Sequence, residues 1–133
     1  MEQFLMLAKI LVVGLGGFFG CICRFLIGSI AAKVDYIPNF PWGTMLANIL
    51  GCFIVGLLGC YFQIKHPSNP LIIPLLITGF LGGMTTFSSY SLESFMLFQD
   101  GYFFHAIINV VAQVVLGLLA IAAAFKTMNA YLA

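Results

Sequence analysis

The stretch Gly79–Ser94 (GFLGGMTTFSSYSLES) places two adjacent glycines, two threonines, four serines and a carboxylate, Glu93, in a run otherwise apolar enough to cross a bilayer. Hydrocarbon tolerates free backbone groups and clustered hydroxyls only where they are buried in protein or line a wet cavity. Three further sets of polar residues share this setting. Thr44, Asn48 and Cys52 recur every four residues, and so do His105, Asn109 and Gln113, with Gly117 continuing their line; Arg24 stands alone. Four-residue spacing puts each set on one helix face. None of these residue types at these spacings makes a nucleophile, an acid–base pair or a metal cluster. The chemistry they suit is non-covalent, the holding or passing of something polar, and no enzyme is expected.

The glycine pair allows a helix to break. A break frees carbonyls that can hold a cation and N–H groups that favour an anion. Beyond it, Phe87, Tyr90 and Ser94 progress along one side and hydroxyls fill the rest. Aromatic ring edges carry partial positive charge, so ring edges, amide donors and hydroxyls together suit a small, hard, dehydrated anion. For Asn48 taken alone, an interhelical hydrogen bond worth about 1 kcal/mol is an equal account. The amides at Asn109 and Gln113 exceed what packing needs and read as a polar track. Arg24 can snorkel, pair with a carboxylate or face an anion. Glu93, the only carboxylate well inside a span, is a functional candidate by default.

Composition sets the elements that must position these groups. Of 133 residues, 62% are hydrophobic and 7% charged, which describes an integral membrane protein with little mass outside the bilayer. A span needs roughly 20 apolar residues, and the pattern predicts an all-α membrane protein, one transmembrane domain over 1–133 with four spans at about 4–32, 42–63, 71–98 and 102–126. The third is expected to break near its middle, over Gly82 to Thr85, where the glycine pair allows it. Proline-bearing connections (Pro38 and Pro41; Pro67 and Pro70) and Asp100-Gly101 separate the spans. The N-terminal run is too long, and lacks the basic leader, for a signal peptide. The four cysteines match no zinc or redox spacing. Lys9, Lys65 and Lys126 fall on one side and Lys33 with Arg24 on the other. This balance leans weakly toward cytoplasmic termini and equally suits a chain inserting in both orientations. Glycines and alanine at four-residue spacing (Gly16/Gly20, Gly43/Ala47/Gly51, Gly79/Gly83) allow close helix approach. Four thin helices leave little room for an internal path, so an oligomer, first a dimer, is expected. Net charge near zero gives no reason to expect nucleic acid.

Four motifs in chain order then resemble the Fluc (CrcB) family of fluoride-selective channels over essentially the whole length. They are Gly16-Gly17-x-x-Gly20-x-x-x-Arg24, Gly43-Thr44-x-x-x-Asn48-x-x-Gly51, Gly79-Phe80-x-Gly82-Gly83-x-Thr85-Thr86-Phe87-Ser88, and Glu93 just beyond. The third is long and specific. The resemblance implies a dual-topology antiparallel homodimer in a bacterial inner membrane, with two pores that pass fluoride. It implies a structural sodium ion on the two-fold, held by the carbonyls of Gly82 and Thr85 from each subunit. Phe87, Tyr90 and Asn48 would line the pore, Asn48 donating to fluoride, with Ser88 and Thr44 as further polar contacts. Arg24 matches the family's vestibule arginine and Glu93 the glutamate near its pore. Two departures stand out: Tyr90 takes the place of a more usual phenylalanine, and Asn109 and Gln113 replace smaller hydroxyl residues. The alternative weighed is a small four-span proton-coupled multidrug exporter, which needs a carboxylate in the first span where only Glu2 exists. A third reading, a non-transporting subunit of a larger complex, gives no reason for the hydroxyl-rich break.

Overall fold

The computed structural model describes residues 1–33 and 40–133; the expected connection residues Asp35, Pro38 and Asn39 lie outside these. Five α-helices form: α1 (Glu2–Ala31), α2 (Trp42–Lys65), the short α3 (Gly82–Met84), α4 (Phe87–Gln99) and α5 (Phe103–Leu132), with a π-helical segment, Pro74–Leu81, running into α3. In that segment the chain is wound wider, and the Gly82 N–H reaches back five residues to the Ile77 carbonyl.

α1, α2 and α5 are each long and apolar enough to cross a membrane, at 30, 24 and 30 residues. Apolar side chains that a water-soluble protein would bury face outward along them, among them Phe4, Phe25, Leu118 and Leu119. The protein is therefore a multi-pass membrane protein with three span-length helices among the described residues, and the stretch 71–99 between two of them is a broken helix. Helix α5 runs on to Leu132, beyond the Lys126 that ends its apolar stretch.

Turn chemistry joins these elements. At the end of α2, His66 adopts the left-handed conformation (φ 44°) and its N–H bonds the Phe62 carbonyl. Between α4 and α5, Gly101 has φ 85°, with Gly101 N–H on Phe98 O and Tyr102 N–H on Leu97 O. That pairing of a left-handed glycine with two backward bonds is a Schellman stop.

Two tight pairings organise the bundle. α2 packs along α5, and α1 packs along the π-helical segment and α3. The second pairing is backbone against backbone. A Cβ on Gly16 would collide with Leu75 O, one on Gly20 with Phe80 O, and one on Gly83 would come 2.6 Å from Gly17 O.

The break falls near the middle of the third expected span, as read from the sequence, at the C-terminal edge of the expected Gly82–Thr85 stretch. Gly82 has helical torsions (φ −62°, ψ −35°), and the chain opens only at Thr85 (φ −89°, ψ 156°) and Thr86 (φ −152°, ψ 120°). Gly83 allows α3 to lie on α1; the threonines make the break. A residue that permits a break does not cause one when a neighbouring helix fills the space its missing side chain leaves.

A test follows from this geometry. Overpacking a close contact costs about 1–3 kcal/mol. Gly20→Ala should lower the thermal unfolding midpoint in detergent, whereas Gly59→Ala, with open space around its Cβ position, should leave it unchanged or raised.

Candidate functional site

Helix α3 ends at Met84 and α4 begins at Phe87, leaving Thr85 and Thr86 extended in the middle of the bundle. Asn48 on α2 meets this gap. Its Oδ1 accepts from the Thr86 N–H at 2.8 Å, and its Nδ2 donates to the Thr86 carbonyl at 3.2 Å. One carboxamide thus satisfies both backbone groups of a residue that has left the helix ladder. Thr86 also caps α4, its Oγ1 accepting from the Ser89 N–H at 3.2 Å. Thr85 turns its hydroxyl back to Leu81 O at 2.9 Å. Gly51 makes room for that side chain, since a Cβ there would collide with Thr85 Cγ2.

The second Nδ2 hydrogen of Asn48 goes to Gln113 Oε1 at 2.7 Å. Gln113 Nε2 donates to Asn109 Oδ1 at 2.8 Å, and Asn109 Nδ2 donates to Ser94 Oγ at 2.9 Å. Ser94 in turn donates to Tyr90 O at 2.7 Å. Asn109 is fully buried and Gln113 nearly so. Three helices are tied together by side-chain amides.

A concavity of about 410 Å³ opens beside this network. Asn48, Gln113, Phe87 and Tyr90 supply its polar and aromatic wall, and Gly82 and Thr85 border it from the break. The rings of Phe87 and Tyr90 lie 5.5 Å apart at 49°, and Phe87 is 78% exposed. Tyr90 Oη donates to Val110 O at 3.2 Å, which pins that ring to α5.

The break also leaves carbonyls without their helix-ladder donors. The Thr86 N–H that would continue the helix ladder to Gly82 O bonds Asn48 instead. The Ser89 N–H, four residues after Thr85, bonds Thr86 Oγ1. The Gly83 carbonyl is taken by Arg24, whose Nε donates to it at 3.1 Å.

Thr44 and Glu93 sit elsewhere. Thr44 Oγ1 donates to Glu93 Oε1 at 2.7 Å, and both border a second cavity of about 280 Å³ with Gly28, Phe40 and Trp42. Glu93 Oε2 and Trp42 Nε1 are buried there without a hydrogen-bond partner among the described residues. Ser88, exposed, reaches only Thr86 Oγ1, at 3.1 Å. His105, one turn before Asn109 on the same face of α5, joins no hydrogen bond of that network among the described residues and stacks edge-on with Tyr102 at 5.7 Å. Of the residues expected at one site, Asn48, Phe87, Tyr90, Gln113, Gly82 and Thr85 come together, while Thr44 with Glu93 forms a separate group. Thr86 had no assigned role in the sequence reading, although it stands within the third motif. Its signal was available: a threonine ahead of a helical run is a cap candidate.

Residues 11–125 match the family described as CrcB-like protein, Camphor Resistance (CrcB). The chain belongs to the CrcB family. Relatives of this CrcB protein carry the name fluoride-specific ion channel FluC. The one from Nitratiruptor sp. is 46% identical over 107 residues, covering 80% of this chain and 81% of the relative. Those from Campylobacter lari (43% identical over 117 residues, 87% of this chain and 93% of the relative) and Rhizobium meliloti (39% over 121, 91% and 96%) match more of the length.

The Asn48 clamp has a measurable consequence. Removing it leaves the Thr86 N–H and C=O unpaired, and stranding a buried backbone group costs about 1–3 kcal/mol. In Asn48→Ala, hydrogen exchange at the amides of residues 85–89 should accelerate by at least tenfold, as expected for about 1.4 kcal/mol, while amides in α1 keep their wild-type protection.

Proposed function

We propose that this CrcB protein is a passive fluoride channel that lets cytoplasmic fluoride leave down its electrochemical gradient. The observation that carries the reading is the concavity beside the break, where ring edges, carboxamides and freed backbone meet at membrane depth. The FluC names of its relatives agree with it. A fluoride ion sheds its water only if fixed donors replace it. Here the edges of Phe87 and Tyr90 and the amides of Gln113 and Asn48 supply those donors, Asn48 by giving up one of the two bonds its Nδ2 makes. Asn109 orients the track from behind. Ser88 is a further hydroxyl contact, and Arg24 and the Thr44–Glu93 pair lie on the ion's approach, Thr44 offering its hydroxyl there. Fluoride enters the cell as neutral HF, ionises at near-neutral internal pH and is trapped, so a passive exit suffices and no covalent step is needed.

The working unit in this reading is an antiparallel, dual-topology homodimer with two pores, in a bacterial inner membrane. The exposed ring of Phe87 and the open mouth of the concavity support it, because a second copy would close both. Sodium is the cation proposed at the two-fold. The carbonyls of Gly82 and Thr85, whose helix-ladder donors bond elsewhere, suit a hard monovalent ion, which would lock the two breaks together. The exporter alternative needs an acid deep in α1, and Glu2 is the first residue of that helix.

Purified protein in liposomes tests the reading directly. Fluoride should escape rapidly, read by electrode, while chloride stays inside; no release, or equal release of both ions, would sink the proposal. Phe87→Ile and Asn48→Ala should each impair fluoride efflux while the protein still elutes as a folded dimer. Wild-type flux in both would refute the pore assignment.

A further inference from the structure

The second cavity, of about 280 Å³, lies where the last turn of α1 meets the start of α2, and it shares no lining residue with the concavity at the break. Two of the residues around it, Trp42 and Glu93, each hold a buried polar atom with no hydrogen-bond partner among the described residues. The two atoms are of opposite kinds. Trp42 Nε1 can only donate, and the carboxylate Oε2 of Glu93 can only accept. They are not bonded to one another. A buried polar atom left unpaired is costly, the more so when it is charged.

A single guest that relieves both atoms must bring a donor for the carboxylate and an acceptor for the indole. A metal ion or a plain alkylammonium has no acceptor to offer. The charge around the cavity selects among the guests that remain. The one described partner of Glu93 is a neutral hydroxyl, Thr44 Oγ1 on Oε1 at 2.7 Å. Gly28, Ala31 and Ala32 line the cavity from the C-terminal end of α1, where the helix dipole is negative. Phe40 and Trp42, ring centroids 4.7 Å apart, border it as well, and aromatic rings attract ammonium groups. Carboxylate, helix end and rings all favour a donor that is positively charged.

We propose that this cavity binds a primary ammonium with an oxygen acceptor two carbons away, the 2-aminoethanol group, its ammonium on Glu93 Oε2 and its oxygen on the Trp42 N–H. The same group occurs as a free amine and as the headgroup of phosphatidylethanolamine. Trp42 is the first residue of α2, at the end of a span, where tryptophan meets headgroups. Bound there, the ammonium offsets the carboxylate that the channel reading puts on the fluoride approach, and the binding itself does not depend on that reading.

Trp42 is the only tryptophan in the chain, so ¹⁵N-tryptophan labelling gives one indole N–H resonance to follow in the full-length protein. In phosphatidylcholine nanodiscs, 2-aminoethanol hydrochloride should move that resonance downfield to saturation, and sodium chloride should leave it in place. An equal shift with ethylammonium chloride, which has no oxygen acceptor, overturns the assignment. Nanodiscs containing phosphatidylethanolamine separate the two sources. A resonance already shifted there without added amine makes the lipid the ligand, and one shifted only by the free amine makes the soluble cation the ligand. No shift with the amine and the same position in both lipids overturns the proposal. Glu93→Gln keeps an acceptor for Thr44 but loses the charge, and half-saturation should need at least about tenfold more amine in a protein that elutes as wild type. Unchanged half-saturation in that folded variant overturns the contact with Glu93. The wild-type titrations decide the proposal even where the variant does not fold.

Discussion

The two-pronged bond between Asn48 and the backbone of Thr86 is the interaction on which the rest of this structure depends. A helix can stop inside a bilayer only if other groups take over the backbone bonds it gives up. Asn48 does so with matched geometry, accepting from the Thr86 N–H and donating to its carbonyl. With those satisfied, the chain stays extended for two residues and restarts as α4 in a new direction. Gly82 O loses its ladder partner by the same act. The carbonyls at the break and the aromatic wall beyond it are two results of one side chain's placement.

Holding that side chain in place requires helices to approach closely without help from the hydrophobic effect, since lipid is as apolar as the protein core. Backbone contact across glycines supplies the approach. α1 lies against the π-helical segment and α3 through Gly16, Gly20, Gly79 and Gly83, and Gly51 admits Thr85 against α2. Arg24 completes the α1 side by donating to Gly83 O. The charged donor satisfies a carbonyl of the short helix that ends at the break. Polar side chains around the break therefore fall into two kinds, those that satisfy freed backbone groups and those that bond one another.

Much of this was legible beforehand. The all-helical membrane architecture, the amide faces and the polar cluster follow from periodicity and composition, because lipid excludes polar groups unless they have a purpose. The motif order also identified the family, and the residues matched bear that out. The exact residues of the break needed the fold. The glycine pair permits a break, because glycine costs a helix about 1 kcal/mol. Packing against Gly17 keeps the pair helical, and the chain opens just after it, at Thr85 and Thr86. Thr44 and Asn48 share a face of α2, one turn apart, yet they border different cavities, Thr44 with the end of α1 and Glu93, Asn48 with the break and Gln113 of α5.

By itself, the sequence determined that this chain crosses a membrane several times and carries polar groups at defined heights on defined helix faces. Those properties are local, set by hydropathy and by the 3.6-residue turn. Only the tertiary structure decided which polar group bonds which. Asn48 and Gln113 read identically in one dimension, as amides on helical stripes. Their difference arises from what lies opposite: Thr86 uses the hydrogen that Asn48 would otherwise have free, and no described residue takes the second hydrogen of Gln113. Hydrogen-bond capacity is a property of a residue type, and availability depends on its neighbours in space.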